Sequence, residues 1–185
     1  MPFKLLIMTI ILLVSLNSEA MSPEALKPEV DRALPVVASE KEKNAEFNHD
    51  DKELAPDFTL PEVNGGEFTL SSLRGQYVIL DFWGTWCGWC LKAMPKMKEY
   101  HAKYKDKFVL VGVDCGDATA KWKAAVQVLQ LPWTNVQVGR DNSVSRMYNV
   151  KGFPTKVIID PNGYIVKTIN GEDPRFYQLL DKMFK

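Results

Sequence analysis

The chain has 185 residues, 46% of them hydrophobic, and its 23 Lys/Arg balance 23 Asp/Glu to a net charge of zero. Residues 54–185 alone carry 17 Lys/Arg against 13 Asp/Glu, an excess of four that is too small to argue for a nucleic-acid partner. Those 132 residues suit one compact domain with a single core.

Lys4 precedes an almost wholly apolar run, Leu5 to Leu16, and Ser18-Glu19-Ala20 then places a small residue at each cleavage-determining position. This reads as a secretory signal over 1–20, because a run of 12 residues falls short of the ~17 a membrane helix needs. An uncleaved anchor is the alternative. No cysteine lies near the cleavage point, so a lipid-anchored form is not indicated. The expectation is an exported, periplasmic or otherwise extracytoplasmic protein, with no stable membrane insertion after cleavage. Residues 21–53 hold nine Asp/Glu, five Lys/Arg and one aromatic, Phe47. Such a segment buries little apolar surface and reads as a polar linker or N-terminal extension, with His49 a solvated side chain.

Asp57-Phe58-Thr59-Leu60 and Glu67-Phe68-Thr69-Leu70 flank Asn64-Gly65-Gly66, a hairpin signal. A strand follows at 77–83, then a helix from about 88 to 106, a strand at 108–113 and a helix at 117–129 with Trp122, Val126 and Leu129 on one face. A short strand near 135–138 and a helical turn at 142–148 lead to strands at 155–159 and 163–169, joined by Asp160-Pro161-Asn162-Gly163. Asp173-Pro174 opens a last helix as N-cap and first-turn proline. Strands alternating with helices argue for an α/β sheet, to which the final hairpin adds an antiparallel edge.

Chemistry concentrates in Trp86-Cys87-Gly88-Trp89-Cys90. A strand feeding a helix through CxxC puts the first sulfur at a helix N-terminus, where unpaired N–H groups and the positive end of the dipole stabilise a thiolate. Cys90, nearly a turn later, is close enough to form a disulfide with Cys87 or to attack a mixed disulfide on it. Structural zinc would need four ligands. The remaining candidates, Cys115, His49 and His101, stand at no finger or ribbon spacing, so no metal is expected. Covalent haem needs His after the second cysteine, where this chain has Leu91. Two ordinary core thiols are the plain alternative, and a redox couple accounts better for the strand–CxxC–helix context.

Asp81-Phe82-Trp83-Gly84-Thr85-Trp86-Cys87-Gly88-Trp89-Cys90, Pro95, and Gly152-Phe153-Pro154-Thr155 together resemble the thioredoxin pattern. Ala55-Pro56-Asp57-Phe58-Thr59-Leu60 and the inserted helix after Asp114 resemble the TlpA/ResA branch of exported thioredoxin-like proteins. The resemblance implies a thioredoxin-like α/β fold: a central mixed β-sheet flanked by helices, with an N-terminal β-hairpin and an inserted helix. It implies a thiol–disulfide oxidoreductase with Cys87 attacking, Cys90 resolving, Asp81 exchanging the proton of Cys90, and Pro154 in cis. Substrate is expected to dock against Trp86, Gly88, Trp89, Phe153 and Pro154. Partners are protein thiols or disulfides and an unidentified redox protein that recycles the couple; no cofactor is implied. A peroxiredoxin-type thiol peroxidase, which would carry Thr or Ser where this chain has Gly84, and a non-catalytic peptide-binding module are the alternatives.

Further expectations attach to individual residues. Asp81 stands in an apolar strand, and the strand expected beside it, Phe108 to Val113, brings no charge, so Asp81 is expected desolvated and lacking the lysine that thioredoxin supplies from that strand. Trp89, where thioredoxin carries proline, keeps an N–H that can donate to the Cys87 sulfur. Asp117 opens the inserted helix and is read as its N-cap, ahead of a role in the chemistry that the resemblance would allow. Cys115 reads as a buried free thiol, His101 as structural, and Lys92, Lys96, Lys103 and Lys107 as a solvated helix face.

Overall fold

The computed structural model describes residues 53–139 and 141–185, so the expected signal and nearly all of the polar extension lie outside the described residues. Strands β1 (Thr59–Pro61) and β2 (Glu67–Thr69) form an antiparallel pair closed through Gly65 and Gly66, whose φ of +92° and +88° suit glycine. The main sheet comprises β3 (Tyr77–Trp83), β4 (Phe108–Cys115), β5 (Thr134–Val138), β6 (Thr155–Ile159) and β7 (Ile165–Asn170), in the order β5-β4-β3-β6-β7. Helices α1 (Gly88–Lys103), α2 (Thr119–Val128), α3 (Ser143–Met147) and α4 (Pro174–Phe184) complete the domain. This is a thioredoxin-like fold with an N-terminal hairpin and an inserted helix, α2.

Strand β3 is central, parallel to β4 and antiparallel to β6. The final hairpin therefore enters the sheet through β6 beside β3, and of its two strands only β7 lies at an edge, a placement that sequence order alone did not reveal. Alternation along β3 sends Ile79 and Trp83 into one core layer with Met94, Met97, Trp122, Phe176 and Leu180. Val78, Leu80 and Phe82 enter a second layer with Phe58, Phe68, Val144 and Tyr148. Residues of α1, α2 and α4 thus cover one face, and the hairpin and α3 cover the other.

Element ends differ from expectation by a few residues. Helix α1 closes at Lys103 rather than 106, and β4 runs on to Cys115, carrying Asp114 and Cys115 into the sheet. At α4, Asp173 accepts the Arg175 N–H at 2.9 Å with Pro174 in the first turn, the cap expected from the sequence.

Candidate active site

Strand β3 delivers Gly84-Thr85-Trp86 to the start of α1, and Cys87 turns the chain into the helix, its N–H donating to Gly84 O at 3.0 Å. Cys87 is the N-cap, and its sulfur accepts the N–H of Cys90 at 3.1 Å. The donor is thus the third helical residue and not Trp89, which corrects the expectation placed on the Trp89 N–H. Cys87 and Cys90 are joined, with S–S 2.06 Å and Cα–Cα 5.2 Å. Cys87 lies at the surface end of the pair, 6% exposed against 1% for Cys90.

Two contacts tie this corner to β4 and the loop after it. Trp86 Nε1 donates to Cys115 O at 2.8 Å, and the closeness requires Gly84, where a Cβ would stand 2.5 Å from that indole nitrogen and 3.0 Å from the same carbonyl. Asp117 accepts both the N–H and the hydroxyl of Thr85, each at 2.6 Å, and pairs with Lys121 at 3.1 Å. Asp117 therefore is not the cap of α2. That position belongs to Ala118, which supplies no side-chain bond, because the two Thr85 donors engage the carboxylate instead. Behind it Asp114 is fully buried, accepting from Gln137 Nε2 at 3.0 Å. Burial pushes Asp114 up to about 7 against the help of Gln137, and the adjoining Asp117 adds to the rise. Burial would raise Asp117 as well, but Thr85, Asp114 and Lys121 together hold it below the usual carboxylate range.

The other wall is the β6 entry. The Phe153–Pro154 bond is cis. Thr155 Oγ1 donates to Gly152 O at 2.8 Å and Asn170 Oδ1 at 2.9 Å, and Gly171 N–H donates to Pro154 O at 2.7 Å, so the loop is held by β7. Phe153 meets the Trp86 ring edge to face at 4.9 Å, which joins this loop to the CxxC corner. A groove of about 260 Å³ runs between these two rings and Ser145 and Arg146 of α3. Trp86 and Trp89 are 53% and 65% exposed, and Gly88 has open space where a side chain would project.

Asp81 is buried on β3 and receives no charge from β4, as expected, but it is not without a cation. Lys156 of β6 stands directly opposite it in register and places Nζ 3.8 Å from Asp81 Oδ1. The lysine comes from the antiparallel neighbour rather than from β4, where Gly112 faces Asp81. Lys156 also donates to Glu172 Oε2 at 3.2 Å, and Tyr177 OH donates to Glu172 Oε1 at 2.9 Å. Burial pushes Asp81 above the ordinary carboxylate range; Lys156 opposes the rise and Glu172 adds to it. The sequence carries a cue to this pairing: Lys156 is the lone charge in Thr155–Ile159, the same kind of anomaly as Asp81 in its apolar strand.

The plainer readings fare unevenly. Cys115 is a buried free thiol that burial pushes up to about 12. His101 lies half-buried edge-on to Trp133 at 5.6 Å, and burial lowers its imidazole. The helix lysines do more than meet solvent: Lys92 sits over Trp89 at 4.8 Å, Lys96 over Tyr177 at 4.6 Å, and Lys103 over Tyr100 at 5.0 Å. No cluster of metal-ligating side chains occurs among the described residues.

A disulfide-linked CxxC at a helix start, with a cis proline in the loop whose Phe153 meets Trp86, can be compared with known proteins. Thiol-disulfide oxidoreductase ResA of Bacillus cereus is 34% identical over 122 residues, covering 65% of this chain and 70% of that protein. ResA of Geobacillus kaustophilus is 37% identical over 118 residues, 63% of this chain and 67% of that protein. Among solved structures, the thioredoxin domain of a thiol-disulfide oxidoreductase from Bacteroides vulgatus superposes with a TM-score of 0.66 at 29% identity, covering 72% of this chain and 96% of that one. A thiol:disulfide interchange protein from Bacteroides sp. gives 0.65 at 29% identity, over 72% and 89%. The model of the AhpC/TSA family matches residues 52–168. The chain therefore belongs to the AhpC/TSA family, as a thioredoxin-like thiol–disulfide oxidoreductase of the TlpA/ResA branch.

Proposed function

We propose that this oxidoreductase works outside the cytoplasm on protein disulfides, with Cys87 as nucleophile, Cys90 as resolving thiol and Asp81 as the acceptor of the Cys90 proton. In the reduced enzyme the Cys87 thiolate attacks one sulfur of a substrate disulfide, forming a Cys87–substrate disulfide and releasing the other substrate sulfur as thiolate. Cys90 passes its proton to Asp81 and attacks the Cys87 sulfur. The Cys87–Cys90 disulfide forms, the second substrate thiolate leaves, and two electrons have moved from enzyme to substrate. Run backwards, the same steps oxidise a dithiol. The observation that carries this reading is the N–H of Cys90 donated to Cys87 Sγ, since a donor aimed at that sulfur from a helix start stabilises a thiolate there. The docking surface on this reading is Trp86, Gly88, Trp89, Phe153 and Pro154, supported by the Trp86–Phe153 ring contact and by the exposure of both indoles, a setting for an extended peptide at the proline loop. Export rests on the apolar run Leu5 to Leu16 with its small-residue cleavage pattern, and an oxidising compartment gives a CxxC couple substrates to act on.

The test is twofold. Reduced enzyme should catalyse insulin reduction by dithiothreitol, whereas hydrogen peroxide turnover in its place would indicate the peroxidase, and neither activity a binding module. Cys90→Ser should accumulate mixed disulfides with substrate on non-reducing gels, and Cys87→Ser should accumulate none. Equal trapping by both would reverse the assignment of the two sulfurs.

A further inference from the structure

Lys156 carries one positive charge between two acids and stands closer to the one farther from the redox couple's strand. Its Nζ lies 3.2 Å from Glu172 Oε2, within hydrogen-bond distance, and 3.8 Å from Asp81 Oδ1, outside it. Asp81 Oδ1 is buried without a hydrogen-bond partner. Glu172 is anchored on its other oxygen by Tyr177 OH at 2.9 Å, the Tyr177 ring lies under Lys96, and the Phe176 ring lies 5.5 Å from Lys156 Nζ. Helix α4 therefore holds Glu172 where it keeps the ammonium turned away from β3. We propose that Glu172 is a positioning residue which, by drawing Lys156 off Asp81, leaves that carboxyl free to take the proton of the resolving cysteine.

The physical argument is a competition. A buried carboxylate hydrogen-bonded by an ammonium is stabilised as the anion and accepts protons poorly, whereas one that is merely near the same cation keeps more of the rise that burial imposes. Asp81 does stand above the ordinary range, with Glu172 among the causes after burial itself. The groups that meet Asp81 are few. Lys156 comes from β6, Glu172 from the turn before α4 and Tyr177 from α4; Gly112 of β4 brings no charge, and α1 contributes Cys87 and Cys90 to the core layer on this face of the sheet. Glu172 is the member with partial solvent access, its side chain 23% exposed while that of Lys156 is 1%, so it can be altered with least disturbance to the core.

This inference rests on the role proposed for Asp81, and the experiment separates the two. The carboxyl ¹³C resonance of Asp81, assigned with Asp81→Asn, is titrated in the reduced full-length enzyme, in Glu172→Gln and in Lys156→Met. Glu172→Gln should lower the Asp81 midpoint by about one pH unit, a tenfold change in proton affinity, and Lys156→Met should raise it. An unmoved or raised midpoint in Glu172→Gln overturns the inference even if Lys156→Met does not fold. The pH profile of Cys90-dependent resolution, measured on a preformed Cys87 mixed disulfide, should shift with the midpoint. A midpoint that moves while the rate profile does not would remove Asp81 from the proton step and leave its coupling to Glu172 standing.

Discussion

Asp81 and Asp114 lie on neighbouring strands two register positions apart, and both are buried, yet the fold answers their charge in opposite ways. Asp81 meets a cation, Lys156, that a third group partly withdraws. Asp114 meets a second acid, Asp117, and is itself the higher of the two, so a proton on Asp114 can serve both. The lesson is that burial alone does not set the role of an acid. A carboxyl facing a lysine keeps a cation that stabilises its anion, whereas one facing a carboxylate is favoured in the protonated form and backs the Asp117 that holds Thr85.

The largest test of this contrast is Lys156→Met. It strands Asp81 without its cation and should cost about 3–5 kcal/mol in urea unfolding at pH 8, most of which Asp81→Asn in the same chain should restore. A double variant no more stable than Lys156→Met would break the pairing. Asp117→Ala removes the acceptor of both Thr85 bonds and should cost about 2–3 kcal/mol, while slowing insulin reduction through a loosened CxxC entry. Unchanged stability would show that the Trp86–Cys115 contact alone secures the corner.

Asp114→Asn should act in the other direction, because an amide can donate to Asp117 and still accept from Gln137. The folded value of about 7 exceeds the ordinary aspartate value of about 3.9. Wild-type stability gained from the held proton is therefore full at low pH and is lost as pH rises through about 7. The variant should match wild type near pH 5 and exceed it by roughly 2 kcal/mol at pH 8. Equal stability curves at both pH values would remove the shared proton. The smallest effect belongs to Trp86→Phe, which keeps a ring against Phe153 but loses the indole N–H to Cys115 O, at about 1 kcal/mol in thermal unfolding.

What was legible in the sequence was local. Cys87 as a helix cap, Asp173-Pro174 as another and the buried β3 run follow from neighbours within a few residues. The partners of Asp81 and Asp117 were not legible, because they depend on which strands adjoin. Lys156 faces Asp81 only once β6 pairs antiparallel with β3, and Asp117 reaches Thr85 across 32 residues. An N-cap was expected at Asp117 from its place before a helix, and a stronger pair of donors from a distant loop claimed it instead.

Cys115 gives the molecule an internal reporter. Its sulfur is enclosed beneath the CxxC corner, 2% exposed, turned toward Val113 O at 3.6 Å, and held as a neutral thiol at any ordinary pH. Alkylating reagents should therefore leave Cys115 unlabelled while the fold is closed, so that label on the native chain marks the reduced couple, Cys87 being its more exposed sulfur. A label on Cys115 can attach only when β4 opens, and its rate of appearance clocks the opening of the strand that holds the Trp86 contact.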